Sequence, residues 1–296
     1  TKREKQFLNL LIIGLVLLSS CTKPDNNTPK EDDENNNTEA FTIETSQISG
    51  LSAVIDIKPQ DKNTKYFYWL YEMDRYINEF QESDELIIEN DIAYWQYVEE
   101  ITGDSWLELM QNDLVSGDIT INSSDFYNLL LWDTEYLAYA YGLDSLGNAT
   151  TPVTKHTFST LAPEKENTTF EIEISSIEWD DTYKKYAVEA TITPSNPDTR
   201  FFATITNMDW YEWYFSEYNE GRSDEDFIMY EILLNTSRPS YQILEEMCLT
   251  GTSVYSPAQM RNQYFTPNKR YGVFVFGMSE DGPTTSLTVY EFTTPS

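Results

Sequence analysis

The stretch Trp210-Tyr211-x-Trp213-Tyr214-Phe215 is the densest chemistry in this chain. A flat aromatic platform stacks on the apolar face of a sugar ring, while neighbouring carboxylates or amides bond its hydroxyls. At 3.6 residues per turn Trp210, Trp213 and Tyr214 share one helix face and Tyr211 points elsewhere. The four residues Trp210, Tyr211, Trp213 and Tyr214 are therefore the candidate ligand platform. The other reading is that these rings glue a helix to a sheet, since ring burial supplies much of the free energy of folding. A second crowd of rings, Trp69, Tyr94, Trp95, Tyr97 and Trp106, lies in the first half of the chain.

Other reactive types are sparse. There is 1 His, His156, and no Ser or Cys nucleophile motif accompanies it, so it reads as a surface residue. Cys248 reads as a small apolar residue. With one His and two Cys, a zinc cluster of ordinary composition is not expected. No Asp-x-Asp-x-Asp-Gly loop is present, so no EF-hand calcium site is expected. The chain has 50 acidic residues, so some close carboxylate pair is inevitable and none argues for glycosidase chemistry. No catalytic residue, metal site or cofactor is expected.

With 19 basic residues against those 50 acids, the formal net charge is −31. Such a polyanion repels nucleic acid and anionic lipid headgroups. Lys2, Arg3 and Lys5 precede an apolar run from Phe7 to Leu18, which has the length of a signal-peptide core. The run ends Leu18-Ser19-Ser20-Cys21, which resembles the lipobox of bacterial lipoproteins. That resemblance implies removal of residues 1–20 and acylation of Cys21, leaving Cys248 as the one thiol of the mature chain. Thr22 rather than Asp follows the cysteine, which implies the outer membrane.

Residues 21–39 are dominated by Asn, Thr, Asp, Glu and Pro with no periodicity, which predicts a disordered tether. Bacteroidetes-type lipoproteins carry acidic residues close behind the cysteine as a surface-export signal. Here Asp25 falls near that place and the run Glu31-Asp32-Asp33-Glu34 lies farther on. The resemblance implies surface exposure, with a periplasm-facing protein as the other reading.

The remainder is an internal repeat. Val54-Ile55-Asp56-Ile57-Lys58-Pro59 aligns with Glu189-Ala190-Thr191-Ile192-Thr193-Pro194. Tyr136 to Gly142 aligns with Tyr271 to Gly277, at the same offset of 135 residues. Domain one is placed at 40–161, a linker at 162–167 and domain two at 168–296. Alternation at Ala53, Ile55 and Ile57, and at Val188, Ala190 and Ile192, predicts strands with one face in a core. Tyr66 to Tyr71 and Val273 to Phe276 are apolar on both faces and need cover on both. Helices between them are expected to supply the second cover. One is opened by Asp91 and runs through Ile92, Trp95, Val98 and Ile101. Another is opened by a Ser105-x-x-Glu108 capping box. In the second half, Ser240 should cap a helix through Tyr241, Leu244 and Cys248 that Gly251 ends.

Leu130-Leu131-Trp132-Asp133-Thr134-Glu135-Tyr136 resembles the L-x-P-x-T-x-Y signature of fibronectin type III domains, with Trp in the Pro position. Phe265 to Tyr271 keeps the Pro and the Tyr. The resemblance implies a structural tyrosine corner at Tyr136 and Tyr271, each hydroxyl bonded to backbone just upstream. Asp144-Ser145-Leu146 resembles the O-glycosylation sequon of the same bacterial group, which would place a glycan on Ser145.

The expected fold is mainly β with α insertions: two tandem fibronectin type III-like sandwiches, each with an inserted helical subdomain on one sheet. The expected function is that of a non-enzymatic, lipid-anchored binding or adhesion module. Its partners would be the membrane, through the anchor, and a glycan or an envelope or host protein, with no nucleic acid. The alternatives are a spacer without a ligand and a glycan-processing enzyme.

Overall fold

The computed structural model describes residues 39–123, 130–217, 223–234 and 246–296. The signal run, Cys21, the tether and the Ser240 helix lie outside the described residues. Ala40–Ser296 forms one compact unit. It is mainly β, with several antiparallel sheets and helices that interrupt them.

The first half begins with β1 (Phe41–Ser46), β2 (Val54–Pro59) and β3 (Tyr66–Glu72). Then come α1 (Met73–Asn78), α2 (Asp84–Thr102) and α3 (Trp106–Asp113). The chain returns through β4 (Ile119–Asn122), β5 (Glu135–Gly142) and β6 (Thr154–Ser159). One sheet has the order β1-β2-β4 and the other β3-β5-β6, all antiparallel. Between them lie Phe41, Ile55, Ile57, Tyr66, Ala138 and Ala140, all nearly fully buried. The alternation of β2 places Ile55 and Ile57 on that face. Sheets of this strand order packed face to face form a fibronectin type III-like sandwich.

The second half repeats the plan with β7 (Phe170–Asp180), β8 (Lys185–Pro194), β9 (Arg200–Asn207) and a short helix α4 (Met208–Tyr211). A π-helical turn (Glu212–Glu217), α5 (Asp224–Leu234), β10 (Leu249–Thr250), β11 (Ser253–Tyr255) and α6 (Pro257–Arg261) follow. Last come β12 (Arg270–Ser279), β13 (Gly282–Pro283) and β14 (Thr288–Thr293). Its sheets run β7-β8-β11 and β10-β9-β12, with β14 on β12. The register is that of the first half: Tyr66 faces Gly142, and Phe201 faces Gly277.

The apolar outer faces of β3 and β5 are covered by α1 to α3. Ile87 and Trp95 of α2 and Met110 of α3 are buried against Leu137 and Tyr139. Each helix-borne ring placed there contributes on the order of 2–3 kcal/mol through burial. The helix starts differ from expectation. Ser83, not Asp91, caps α2, its hydroxyl accepting from the Leu86 amide at 3.3 Å. Asp91 sits mid-helix and buried, so an apparent cap is an inward-facing carboxylate. Ile101 is 53% exposed, off the buried row of Ile87, Asp91, Trp95 and Val98. Ser105 precedes α3 but makes no side-chain capping bond. Gly251, at φ +59°, sits between β10 and β11, because the chain is already extended at Leu249.

The halves are joined by a plug. Leu51, from the β1–β2 connection, is wholly buried among Phe202, Phe276, Met278, Ile228 and Ile232 of the second sandwich and its helix. The Gly50 amide donates to Asp281 Oδ1 at 2.8 Å. A Cβ on Gly50 would meet the Asp281 carbonyl oxygen at 1.8 Å, so the approach requires glycine. The linker is also tied down, with the Glu166 amide donating to the Thr284 carbonyl at 2.8 Å and Lys165 Nζ to that of Pro283 at 2.9 Å.

Candidate functional site

The two tyrosine positions have the same environment. Tyr136 and Tyr271 are 5% and 8% exposed, each at the start of a strand of its second sheet, β5 and β12. The Leu131 amide donates to the Tyr136 hydroxyl at 2.7 Å, and the Thr266 amide to that of Tyr271 at 3.0 Å. A threonine completes each corner. Thr160 Oγ1 donates to the Leu131 carbonyl, and Thr294 Oγ1 to that of Thr266.

The α2 carboxylate of Asp91 reaches the outer face of β5. The Tyr139 hydroxyl lies 2.9 Å from both of its oxygens, that of Tyr141 3.0 Å from Oδ2 and that of Tyr71 3.3 Å from Oδ1. Asn90 Nδ2 in turn donates to the Tyr71 hydroxyl at 2.8 Å. Burial pushes the Asp91 carboxyl up to about 7 against the pull of these bonds. The same burial raises the hydroxyls of Tyr139 and Tyr141 well above the ordinary phenol value. Asp91 is 5% exposed and Tyr139 and Tyr141 are fully buried, so the cluster is closed to a substrate. What it can do is orient the helix on the sheet. The second sandwich has Phe274 and Phe276 where the first has Tyr139 and Tyr141, and covers them with rings instead.

Those rings include the predicted platform. Tyr211 packs on Phe274 at 4.9 Å and on Phe227 at 5.2 Å, so it faces the sheet. Trp210 and Tyr214 stack at 5.3 Å with planes 13° apart, and both lie against Tyr230. All three are half-buried, whereas Trp213 is 48% exposed. The uniform helical face expected for Trp210, Trp213 and Tyr214 is broken because the α-helix gives way to a π turn at Glu212. Beside it, Arg270 bonds Glu212 at 2.8 Å and Glu291 at 3.0 Å.

His156 Nε2 and Thr45 Oγ1 are 3.1 Å apart in a half-buried position between the first sandwich's sheets. The Cys248 thiol, packed against the plug residues, is pushed up to about 12 by burial, which disfavours the thiolate. Ser145 is exposed in a loop held by Asp144, whose carboxylate accepts from the Leu146 and Asn148 amides. It edges an open groove of about 450 Å³ lined with Leu107, Glu108, Gln111 and Asn112 of α3. Among the described residues no group of three His, Cys, Asp or Glu could hold a metal ion, and no helix is long and apolar enough to cross a membrane.

Sequence reasoning took Asp91, whose partners come from two distant strands, for a helix opener, and passed over Glu231. The latter is a buried carboxyl of α5, 5% exposed and pushed up to about 7 by burial, with Arg261 pulling the other way. Both acids occupy positions of otherwise helical pattern that face inward, and inward-facing acid in an apolar stripe is the signal that could have found them.

No protein-family model matches the chain, and no curated protein matches it. Among solved structures it is similar to a two-domain fibronectin type III segment of chicken tenascin, at 8% identity and a TM-score of 0.23, over 86% of this chain and 98% of that one. It is also similar to the central fibronectin III array of RIM-binding protein, at 7% identity and a TM-score of 0.21, over 88% of this chain and 71% of that one. Superpositions this loose carry no argument. The fibronectin-like description rests on the strand order and the paired tyrosine corners.

Proposed function

We propose that this chain is a lipid-anchored, non-enzymatic protein of the bacterial outer envelope that holds a locked pair of sandwiches away from the membrane for binding. The observation that carries the binding role is Trp213, a large ring 48% exposed beside aromatic neighbours that the core has already absorbed. Its ring meets that of Tyr214 at 6.2 Å and still leaves about half of its surface to a glycan or a protein. The anchor rests on Leu18-Ser19-Ser20-Cys21 behind an apolar run, and the polar stretch 21–39 would be the tether. The charge of −31 keeps such a protein off anionic headgroups, so contact with the bilayer would run through the lipid. In cells, Cys21→Ala should leave the precursor unprocessed by the lipoprotein route and lost from the outer-membrane fraction. Normal processing and retention of that variant would overturn the anchor.

A second reading, a spacer without a ligand, is favoured by the plug at Leu51 and by the bonded linker, which suit a strut more than a hinge. Trp213→Ala distinguishes the two, since a spacer should lose no partner with that ring.

A further inference from the structure

The β7–β8 hairpin is longer than its counterpart. In the first sandwich β1 and β2 pair from Phe41 with Pro59 to Ser46 with Val54. In the second, pairing continues past the equivalent of Val54, which is Glu189, through Trp179 with Tyr186 to Asp180 with Lys185. A bulge at Ser175 shifts the register on the way. The turn beyond is built by Asp180, whose Oδ1 accepts from the Thr182 and Tyr183 amides at 2.8 and 3.0 Å. The extension is therefore ordered by its own sequence, and the first sandwich folds without it.

Its side chains form a ring surface. Trp179 meets Tyr186 edge-on at 5.1 Å, and Tyr183 stacks on Tyr264 at 4.2 Å with planes 20° apart. Tyr186 and Phe265 exchange backbone bonds of 2.8 Å, which pins the strip to the sandwich. Yet Trp179 is 45% and Tyr183 47% exposed, so ring faces remain outside the core. Asp181 accepts from Trp179 Nε1 at 3.1 Å and pairs with Lys184 at 3.2 Å.

Charge decides what these rings can take. The tip carries Glu178, Asp180 and Asp181 against Lys184 and Lys185, so it is close to neutral on a chain of net charge −31. An anionic ligand is repelled by the whole molecule. A cationic one meets Asp181 already paired with Lys184 and Asp180 Oδ1 already bonded within its own turn. A neutral polyhydroxylated ring meets aromatic faces for its apolar side, carboxylates that accept from its hydroxyls and ammonium groups that donate to them.

We propose that the tip of the β7–β8 hairpin, with Trp179 and Tyr183 as stacking faces and Asp181 and Lys184 as hydroxyl partners, is a binding site for a neutral hexose glycan. This rests on the reading of the chain as a binding module and adds the hairpin to Trp213 as a second contact surface.

The test titrates the full chain, in a detergent without a sugar headgroup, with cellohexaose, maltohexaose and mannohexaose. Tetragalacturonate and oligolysine serve as the anionic and cationic probes. At least one neutral oligosaccharide should bind, and Trp179→Ala and Tyr183→Ala should each weaken it about tenfold. Trp179→Phe keeps a ring face and should retain affinity within about threefold, which separates lost stacking from lost folding. Ile101→Ala, at an exposed position of α2 in the first sandwich, should bind as wild type does. Loss confined to Trp213→Ala overturns the hairpin site and leaves the binding module standing. Retention of only tetragalacturonate or only oligolysine overturns the ligand class, again without touching that reading. Unchanged binding in both hairpin alanine variants, or no probe bound at all, overturns the inference, and the binding module then stands or falls on envelope proteins.

Discussion

The Gly50 amide of the first sandwich donates to the Asp281 carboxylate of the second at 2.8 Å, directly beside the buried Leu51. A polar clasp and an apolar plug at one contact make the two sandwiches a single mechanical unit. The paired relationship predicts coupled unfolding. Leu51→Ala removes a fully buried side chain and should cost about 2–5 kcal/mol. Urea denaturation should then show two separated transitions where the wild type shows one. A single transition of unchanged midpoint would mean that the plug holds nothing.

Gly50→Ala should be nearly as damaging, although it adds only a methyl group. Its Cβ would meet the Asp281 carbonyl oxygen at 1.8 Å, and backbone on both sides has to move. Asp281→Ala, which removes the acceptor without a clash, should cost less, about 1–2 kcal/mol as a charge-assisted bond. Thermal melts that rank these two variants in the opposite order would refute the steric account.

Each tyrosine corner should report on its own sandwich. Tyr136→Phe and Tyr271→Phe each leave a backbone amide without the hydroxyl it bonds, at a cost of about 1 kcal/mol or somewhat more. Hydrogen exchange should rise at the amide of Leu131 in one variant and of Thr266 in the other. Exchange unchanged at those amides would remove the corner's structural role.

Acidification should stabilise this protein down to about pH 4. Asp91 and Glu231 have folded values pushed up to about 7, above their ordinary values of 3.8 and 4.5. Between those limits the folded chain holds protons that the unfolded chain has released. Stability therefore falls as pH rises through the window, and is recovered as pH drops. The midpoint of thermal unfolding should rise from pH 7.5 to pH 5, and Asp91→Asn should flatten part of that slope. A wild-type midpoint that falls over the same interval, or an Asp91→Asn slope equal to wild type, would contradict the assignment.

How much of this was legible in the sequence depended on distance along the chain. The repeat, the strands around Ile55 and Ile192 and the tyrosines at 136 and 271 follow from local pattern, because strand alternation and the corner are short-range devices. Asp91 was misread as a helix opener because an acid before an apolar run has the look of a cap. Only the fold brings Tyr71, Tyr139 and Tyr141 onto it. The platform at Trp210 was half legible. Ring density is visible, but the π turn that carries Trp213 and Tyr214 has no signature in spacing. Alignment from Val54 onward also hid the longer β7–β8 hairpin, since the extra residues precede the aligned segment.

The most direct test of the account is whether the intact protein binds at all. The full chain, in a detergent without a sugar headgroup, is immobilised and presented with a glycan array and with an extract of envelope proteins, alongside Trp213→Ala and Trp179→Ala. The account predicts that the wild type retains a defined glycan or envelope protein, that one of the two ring variants loses it, and that both variants melt within about 2 °C of wild type, as substitutions at exposed positions do. A wild type that retains nothing from either source would contradict the binding role and leave the spacer.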